Sequence, residues 1–166
     1  YQKNIFFISK DHFINILEKN NLIHSFKVTK IYPNSIEVQV KKTELLAVTD
    51  RNNKKFFIGS NGKLINFESY NKSLPYVFGK IKIKDFIEFK KIIAKSKFNF
   101  EEISELYFFP SGRWDIQNNK GILIKLPETN LLKALNLAHH ITINEIFKND
   151  KVIDLRIYNY VISTNE

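Results

Sequence analysis

Lys151-Val-Ile-Asp-Leu-Arg-Ile-Tyr-Asn-Tyr-Val-Ile-Ser-Thr164 is the stretch whose reading decides the architecture. Ile153, Leu155 and Ile157 alternate with Asp154 and Arg156, the period-2 pattern of a strand with one buried face. Tyr158-Asn159 interrupts the pattern, and Tyr160 to Thr164 opens a second run of β-forming residues. A strand placed this late has no later neighbour of its own. Unless an earlier strand comes round to it, it sits at a sheet edge with a row of unpaired N–H and C=O groups.

Working back from this stretch, Thr129 or Asn130 caps a helix carrying Leu131, Leu132, Leu135 and Ala138. Trp114 to Gln117 and Ile122 to Leu126 read as two strands around the turn Asn118 to Gly121. Trp114 and Ile116 share one face, as do Ile122, Ile124 and Leu126. Leu106 to Phe109 is a strand ended by Pro110-Ser111-Gly112. Asp85 to Lys95 is a helix with Phe86, Phe89 and Ile93 on one stripe. Leu74 to Gly79 reads as an irregular, partly buried connection. Leu46-Ala47-Val48 and Lys55 to Ile58 are strands about the turn Asn52-Asn53, and Asn61-Gly62 is a strong hairpin signal ahead of Leu64-Ile65.

The first part differs. Ser9 and Asp11 begin a helix bearing Phe13, Ile16 and Leu17. Phe26 to Ile31 and the alternating Ile36, Val38 and Val40 form a hairpin about Tyr32-Pro-Asn-Ser35. Two strands cover a helix poorly and an isolated hairpin is marginal, so the reading expects further parts of this unit before Tyr1. A new unit starts near Leu45.

The totals exclude much. The chain has 166 residues, 43% hydrophobic and 26% charged, enough for one ordinary domain or two small ones with a real core. No apolar run reaches the ~18 residues of a membrane span. Cysteine is absent, which excludes disulfides, thiolate chemistry and Cys-ligated metals. The net charge of +9 points to an acidic partner such as nucleic acid, anionic lipid or acidic protein. Against that, the lysines are spread along the chain among abundant Asn, Ile and Phe, and this favours a compositional bias.

Candidates for chemistry are few. His139-His140 are adjacent, about 100° apart on a helix, and lack the i, i+4 spacing of a chelating pair. His12 and His24 are distant. Glu101, Glu102 and Glu105 read as a solvated helix start. The five glycines build no phosphate loop, and Ser60 and Ser111 sit in plain turns. The doublets Phe6-Phe7, Phe56-Phe57 and Phe108-Phe109 could stack bases between lysines, but in strands one member of each faces the core. The sequence therefore favours a binding or scaffolding role, without catalytic residues, cofactor or metal.

The order of elements and a series of short phrases resemble the periplasmic part of the bacterial cell-division FtsQ/DivIB family. The phrases are Asn4-Ile-Phe-Phe7, Val28 through the Tyr-Pro-Asn-Ser turn to Ile36-Glu-Val-Gln-Val40, Leu46-Ala-Val48 and Ser60-Asn-Gly-Lys-Leu-Ile65. Leu74-Pro-Tyr-Val-Phe-Gly79, Arg113-Trp114-Asp115, Ile122-Leu-Ile-Lys-Leu-Pro127 and Val152-Ile-Asp-Leu-Arg156 complete the series.

The resemblance implies an α+β chain in two parts. Residues 1–45 would be a partial POTRA domain, helix plus β-hairpin. Residues 46–166 would be the β domain, a twisted, mainly antiparallel sheet with packed helices. It implies a non-enzymatic divisome scaffold, anchored in the bacterial inner membrane by a single transmembrane helix upstream of Tyr1, with this region in the periplasm at the septum. FtsB/FtsL-like division proteins would bind by adding a strand at the C-terminal edge, through Arg156, Ile157, Tyr160, Val161, Ile162, Ser163 and Thr164, with Arg113 as a further contact. Other divisome proteins would use the POTRA domain, and no nucleic acid is implied. This sequence departs from better-known members in a closing turn without glycine. Two alternatives stand beside it: a basic nucleic-acid-binding domain, and a POTRA-containing component of secretion or outer-membrane assembly.

Overall fold

The structure, a computed structural model, describes residues 10–66, 73–144, 149–157 and 160–165. Ser9, the phrase Asn4 to Phe7 and the turn Tyr158-Asn159 lie outside these residues, as do the side chains of His12 and Phe13.

The N-terminal unit is α1 (Lys10–Lys19) followed by β1 (Ile23–Ile31) and β2 (Ser35–Lys42). The two strands pair antiparallel as a sheet of their own, in one register from Ile31↔Ser35 to Ser25↔Lys41, with a shift before Ile23↔Lys42. β1 starts three residues earlier than periodicity places it. Val38 and Val40 of β2 are exposed.

All other strands join one nine-stranded sheet. They are β3 (Leu45–Arg51), β4 (Lys54–Gly59), β5 (Leu64–Ile65), β6 (Tyr76–Phe78), β7 (Ile103–Phe108), β8 (Trp114–Asn118), β9 (Leu123–Lys125), β10 (Val152–Asp154) and β11 (Ile162–Thr164). The order across the sheet is β11-β10-β9-β8-β7-β6-β3-β4-β5. The pairs β9–β10, β6–β7 and β3–β6 are parallel and the rest antiparallel, so the sheet is mixed and mostly antiparallel. The class is α+β, as the resemblance implies.

Local chemistry explains several joints. Asn52 (φ 51°) and Asn53 (φ 59°) both take the left-handed conformation, as a two-residue type I′ turn between β3 and β4 requires. Asparagine tolerates this better than other residues with a Cβ. Gly79 has φ 102°, and a Cβ there would collide with the Phe108 carbonyl oxygen. Asn99 caps the one-turn 3-10 helix Phe100–Glu102 by accepting the Glu101 N–H.

A single row of apolar residues runs through the sheet in register: Val77, Leu106, Ile116, Ile124 and Ile153, none more than 1% exposed. They form one core with the buried faces of α2 (Ile83–Lys95) and α3 (Leu131–Thr142). Phe89 of α2 stacks parallel on Trp114 at 4.7 Å, and Trp114 and Ile116 share that face as expected. Burying a large aliphatic side chain is worth about 1.5–3 kcal/mol, so this row and the two helix stripes hold the domain together.

Four expectations need correction. Leu74 to Gly79 contains β6, a parallel strand near the middle of the sheet. Pro75 and Gly79 confine it to three residues, too few to show a period. Glu105 lies in β7 and not with a helix start. Asn130 occupies the N-cap of α3 in a left-handed conformation (φ 58°) without a side-chain cap bond, and Leu132 is exposed. Ile157 does not share the buried face of Ile153 and Leu155. The Asp154 carboxylate accepts the Arg156 N–H at 3.0 Å and turns the chain out of the sheet, leaving Ile157 56% exposed.

The two sheets meet through polar contacts at the β4–β5 turn. Asn61 Nδ2 donates to the carbonyls of Asn21 (2.9 Å) and Ile23 (3.1 Å), and Asn61 Oδ1 accepts the Lys63 N–H. Lys63 Nζ reaches the Glu18 carbonyl at 2.8 Å, closing the end of α1 onto the same turn.

Candidate functional site

The closing strand is at the edge. β11 pairs antiparallel with β10 (Val152↔Thr164, Ile153↔Ser163, Asp154↔Ile162) and has no partner on its other side among the described residues. The Lys151 N–H donates to the Thr164 carbonyl at 2.8 Å and fastens its end. Tyr160, Val161, Ile162, Ser163 and Thr164 are all exposed, Tyr160 at 67%. An exposed strand of this composition with bare backbone groups is a template for another strand.

Beside the edge runs a groove of about 530 Å³ between the start of α3 and the chain leading from β10 to β11. Thr129, Lys133, Leu137, Arg156, Ile157 and Tyr160 line it. Leu137 and Ile157 are its exposed apolar members, and Lys133 and Arg156 are its basic ones.

The sheet face away from the helices brings Arg156 and Arg113 into one charged ribbon. Asp115, Lys125 and Asp154 are cross-strand partners on β8, β9 and β10, with Ile162 of β11 next in the row. Arg156 Nε donates to both carboxylate oxygens of Asp154 at 2.9 Å, and its Nη2 to Oδ2 at 2.5 Å. These hydrogen bonds are the main reason that the Asp154 carboxyl is held below its ordinary range. Arg113 Nε reaches Asp115 Oδ1 at 3.2 Å while its guanidinium lies 4.1 Å over the Phe109 ring. Asp115 also accepts the Leu126 N–H at 3.3 Å, yet burial dominates and pushes its carboxyl up against the pull of Arg113, that N–H and Arg156.

Each arginine thus spends Nε and Nη2 on an internal aspartate, and Nη1 of both makes no bond among the described residues. A bidentate fork from Arg156 to an outside carboxylate would have to compete with Asp154. A single Nη1 contact would not. Asp115, Asp154, Lys125 and Lys133 are the members that sequence reasoning missed. A signal for two of them was present, since Arg113-x-Asp115 and Asp154-x-Arg156 are opposite charges two apart in strands and so on one face.

Farther along the same face, Tyr107 donates to Glu105 and lies 3.2 Å from Gln117 Oε1, and its ring stacks on Phe78 at 5.1 Å. Burial, with the Glu105 bond second, pushes the Tyr107 phenol up to about 12. Phe108 packs on Trp114 while Phe109 lies under Arg113, so that doublet splits between core and surface. Among the described residues no three His, Asp or Glu side chains converge as metal ligands. No described helix is long and apolar enough to cross a membrane.

The chain is thus an α+β protein with a mixed sheet, helices on one face and a closing strand unpaired on its outer side among the described residues. Comparison with known proteins gives its family. A model of the family described as cell division protein FtsQ/DivIB, C-terminal, matches residues 47–156, about two thirds of the chain. The chain belongs to the FtsQ/DivIB family of cell division proteins. It is 24% identical over 139 residues to the cell division protein FtsQ of Rhizobium radiobacter, covering 81% of this chain and 66% of the relative. To FtsQ of Rickettsia felis it is 28% identical over 159 residues, 92% of this chain and 58% of the relative. The chain thus spans about half to two thirds of the length of the curated relatives it matches. A solved major extracytoplasmic domain of DivIB from Geobacillus stearothermophilus matches with a TM-score of 0.44 and 15% identity, over 61% of this chain and 92% of that one. The family match ends at Arg156, so β11 lies beyond it and its case rests on geometry.

Proposed function

We propose that this chain is the periplasmic part of a non-enzymatic, membrane-anchored division scaffold that captures FtsB/FtsL-like partners by strand addition at β11. The observation that carries the reading is the outer edge of β11, unpaired among the described residues and exposed along its length at the end of the sheet. A partner segment pairing there gains main-chain hydrogen bonds, and alternate side chains give selectivity. Tyr160, Val161, Ile162, Ser163 and Thr164 form the docking strand, with Ile157 and Arg156 at the groove beside it. A partner carboxylate meets the free Nη1 of Arg156 or, farther in, of Arg113. Residues 1–45 act as the later part of a POTRA domain that engages other divisome proteins, and residues 46–166 as the β domain.

Proline substitution tests the strand. Successive N–H groups along a strand point to opposite edges, so of Ile162 and Ser163 one N–H faces β10 and the other faces outward. Ile162→Pro and Ser163→Pro together cover both cases. At least one abolishes capture of a peptide from the FtsB-like protein of the same genome in a pull-down, with unchanged circular dichroism. Full capture by both variants contradicts the proposal.

A further inference from the structure

The +9 charge is not spread evenly once the chain is folded. Residues 80–97 hold seven lysines against Asp85 and Glu88, a net +5 of the chain's +9. They belong to α2 and its flanks, on the outside of the helix layer. Lys84, Lys91 and Lys95 follow at i, i+7 and i+11 and so form one stripe. Lys80 and Lys82 extend it at one end and Lys97 at the other, and all six are exposed. Lys90, the seventh, is half-buried over the Phe100 ring. Neither Asp85 nor Glu88 closes an ion pair with any of them. The two ion pairs among the described residues, Arg113–Asp115 and Arg156–Asp154, lie on the opposite face of the sheet. The neighbouring α3 adds Lys133 and no carboxylate.

We infer that this lysine face binds the surface of a bilayer containing anionic lipid. Three observations select this partner. The positive groups are all lysines, compact point charges on flexible stems, without the arginine forks that read an individual phosphate or carboxylate. The exposed lysines of residues 80–97 line none of the cavities at Thr43–Leu46, beside α3 or at Trp114, so their charge is presented on an open surface. Every aromatic ring from residue 80 to 98 is buried, which leaves no platform for stacking bases. The face also has apolar neighbours suited to an interface. Leu132 and Ile143 of the α3 segment are exposed, on the same helix side as Asn136, whose Oδ1 takes the Lys97 N–H at 2.8 Å and ties that side to the end of α2. Lysines over anionic headgroups with a few aliphatic side chains at the acyl boundary is how a peripheral surface holds to a membrane.

Co-sedimentation of the 166-residue chain with vesicles tests the inference. Vesicles of phosphatidylcholine and phosphatidylglycerol in equal parts retain the chain, vesicles of phosphatidylcholine alone do not, and retention falls as salt rises. The triple variant Lys84→Glu, Lys91→Glu, Lys95→Glu binds at least roughly tenfold more weakly. Lys41→Glu with Lys42→Glu, on β2, leaves binding unchanged. Should the triple reversal fail to fold by circular dichroism, Lys84→Gln, Lys91→Gln, Lys95→Gln takes its place with a smaller loss in the same direction. Equal binding to both vesicle types, no binding to either, or undiminished binding by a folded triple variant overturns the inference. So does retention on a DNA oligonucleotide without retention on the anionic vesicles.

Discussion

Asp115 and Asp154 carry the same carboxyl on one sheet face, and their surroundings drive it in opposite directions. Asp154 is held down, chiefly by the Arg156 hydrogen bonds. Its contribution to stability is present above the unfolded carboxylate value of about 4 and is lost as pH falls through the depressed folded value. The pair is partly exposed, so Asp154→Asn costs about 1 kcal/mol or less at neutral pH. Wild type and variant draw together in thermal melts as pH falls below the unfolded carboxylate value, and a gap that stays constant across the acid series contradicts the assignment. Asp115 is pushed up by burial, so its folded form takes a proton more readily than its unfolded form and gains stability as pH falls. Asp115→Asn removes that gain and makes acid unfolding steeper, which denaturant midpoints across an acid series measure. Neither behaviour is legible from an isolated aspartate. The opposite-charge spacing in Arg113-x-Asp115 and Asp154-x-Arg156 gives the partners, but which carboxyl is buried depends on how β8, β9 and β10 line up.

At the level of elements, the sequence was most readable where local chemistry is strong. The Phe86, Phe89 and Ile93 stripe marks α2, and Asn52-Asn53 marks its turn because few residues accept two left-handed positions in succession. β6 escaped reading for a physical reason. A short strand between parallel neighbours needs apolar groups on both faces, and Tyr76-Val77-Phe78 supplies them without alternation. What holds β6 in place is nonlocal: Val77 in the core row and Gly79 against the Phe108 carbonyl. Gly79→Ala meets both the strained φ and that carbonyl, and lowers stability by about 1–3 kcal/mol in denaturant unfolding. A loss within a few tenths contradicts the close approach. Likewise the alternation at Ile153, Leu155 and Ile157 promised a longer strand, and the Asp154 carboxylate ends it by capturing the Arg156 N–H.

Over the whole molecule, the two sheets are linked at the β4–β5 turn, where Asn61 bonds two carbonyls of the first unit and the Lys63 N–H, Lys63 Nζ the Glu18 carbonyl, and Asn21 Nδ2 the Leu64 carbonyl. Asn61→Ala removes the central bonds and loosens the angle between them, seen as a broader distance distribution in small-angle scattering with little change in melting temperature. An unchanged distribution contradicts the role of Asn61. The resemblance in the sequence reached the family and the edge position of the closing strand, which the family match and the sheet order support. It did not reach the groove beside β11, which joins residues far apart in sequence, or the lysine face outside α2, whose members are close in sequence but share one exposed side only once the Phe86, Phe89 and Ile93 stripe is buried. Strand addition at β11 is tested by amide hydrogen exchange of the chain with and without the FtsB-like peptide. New protection is expected at Ile162 to Thr164 with little change at β5, the opposite edge. Tight peptide binding with unaltered exchange at Ile162 to Thr164 would contradict it.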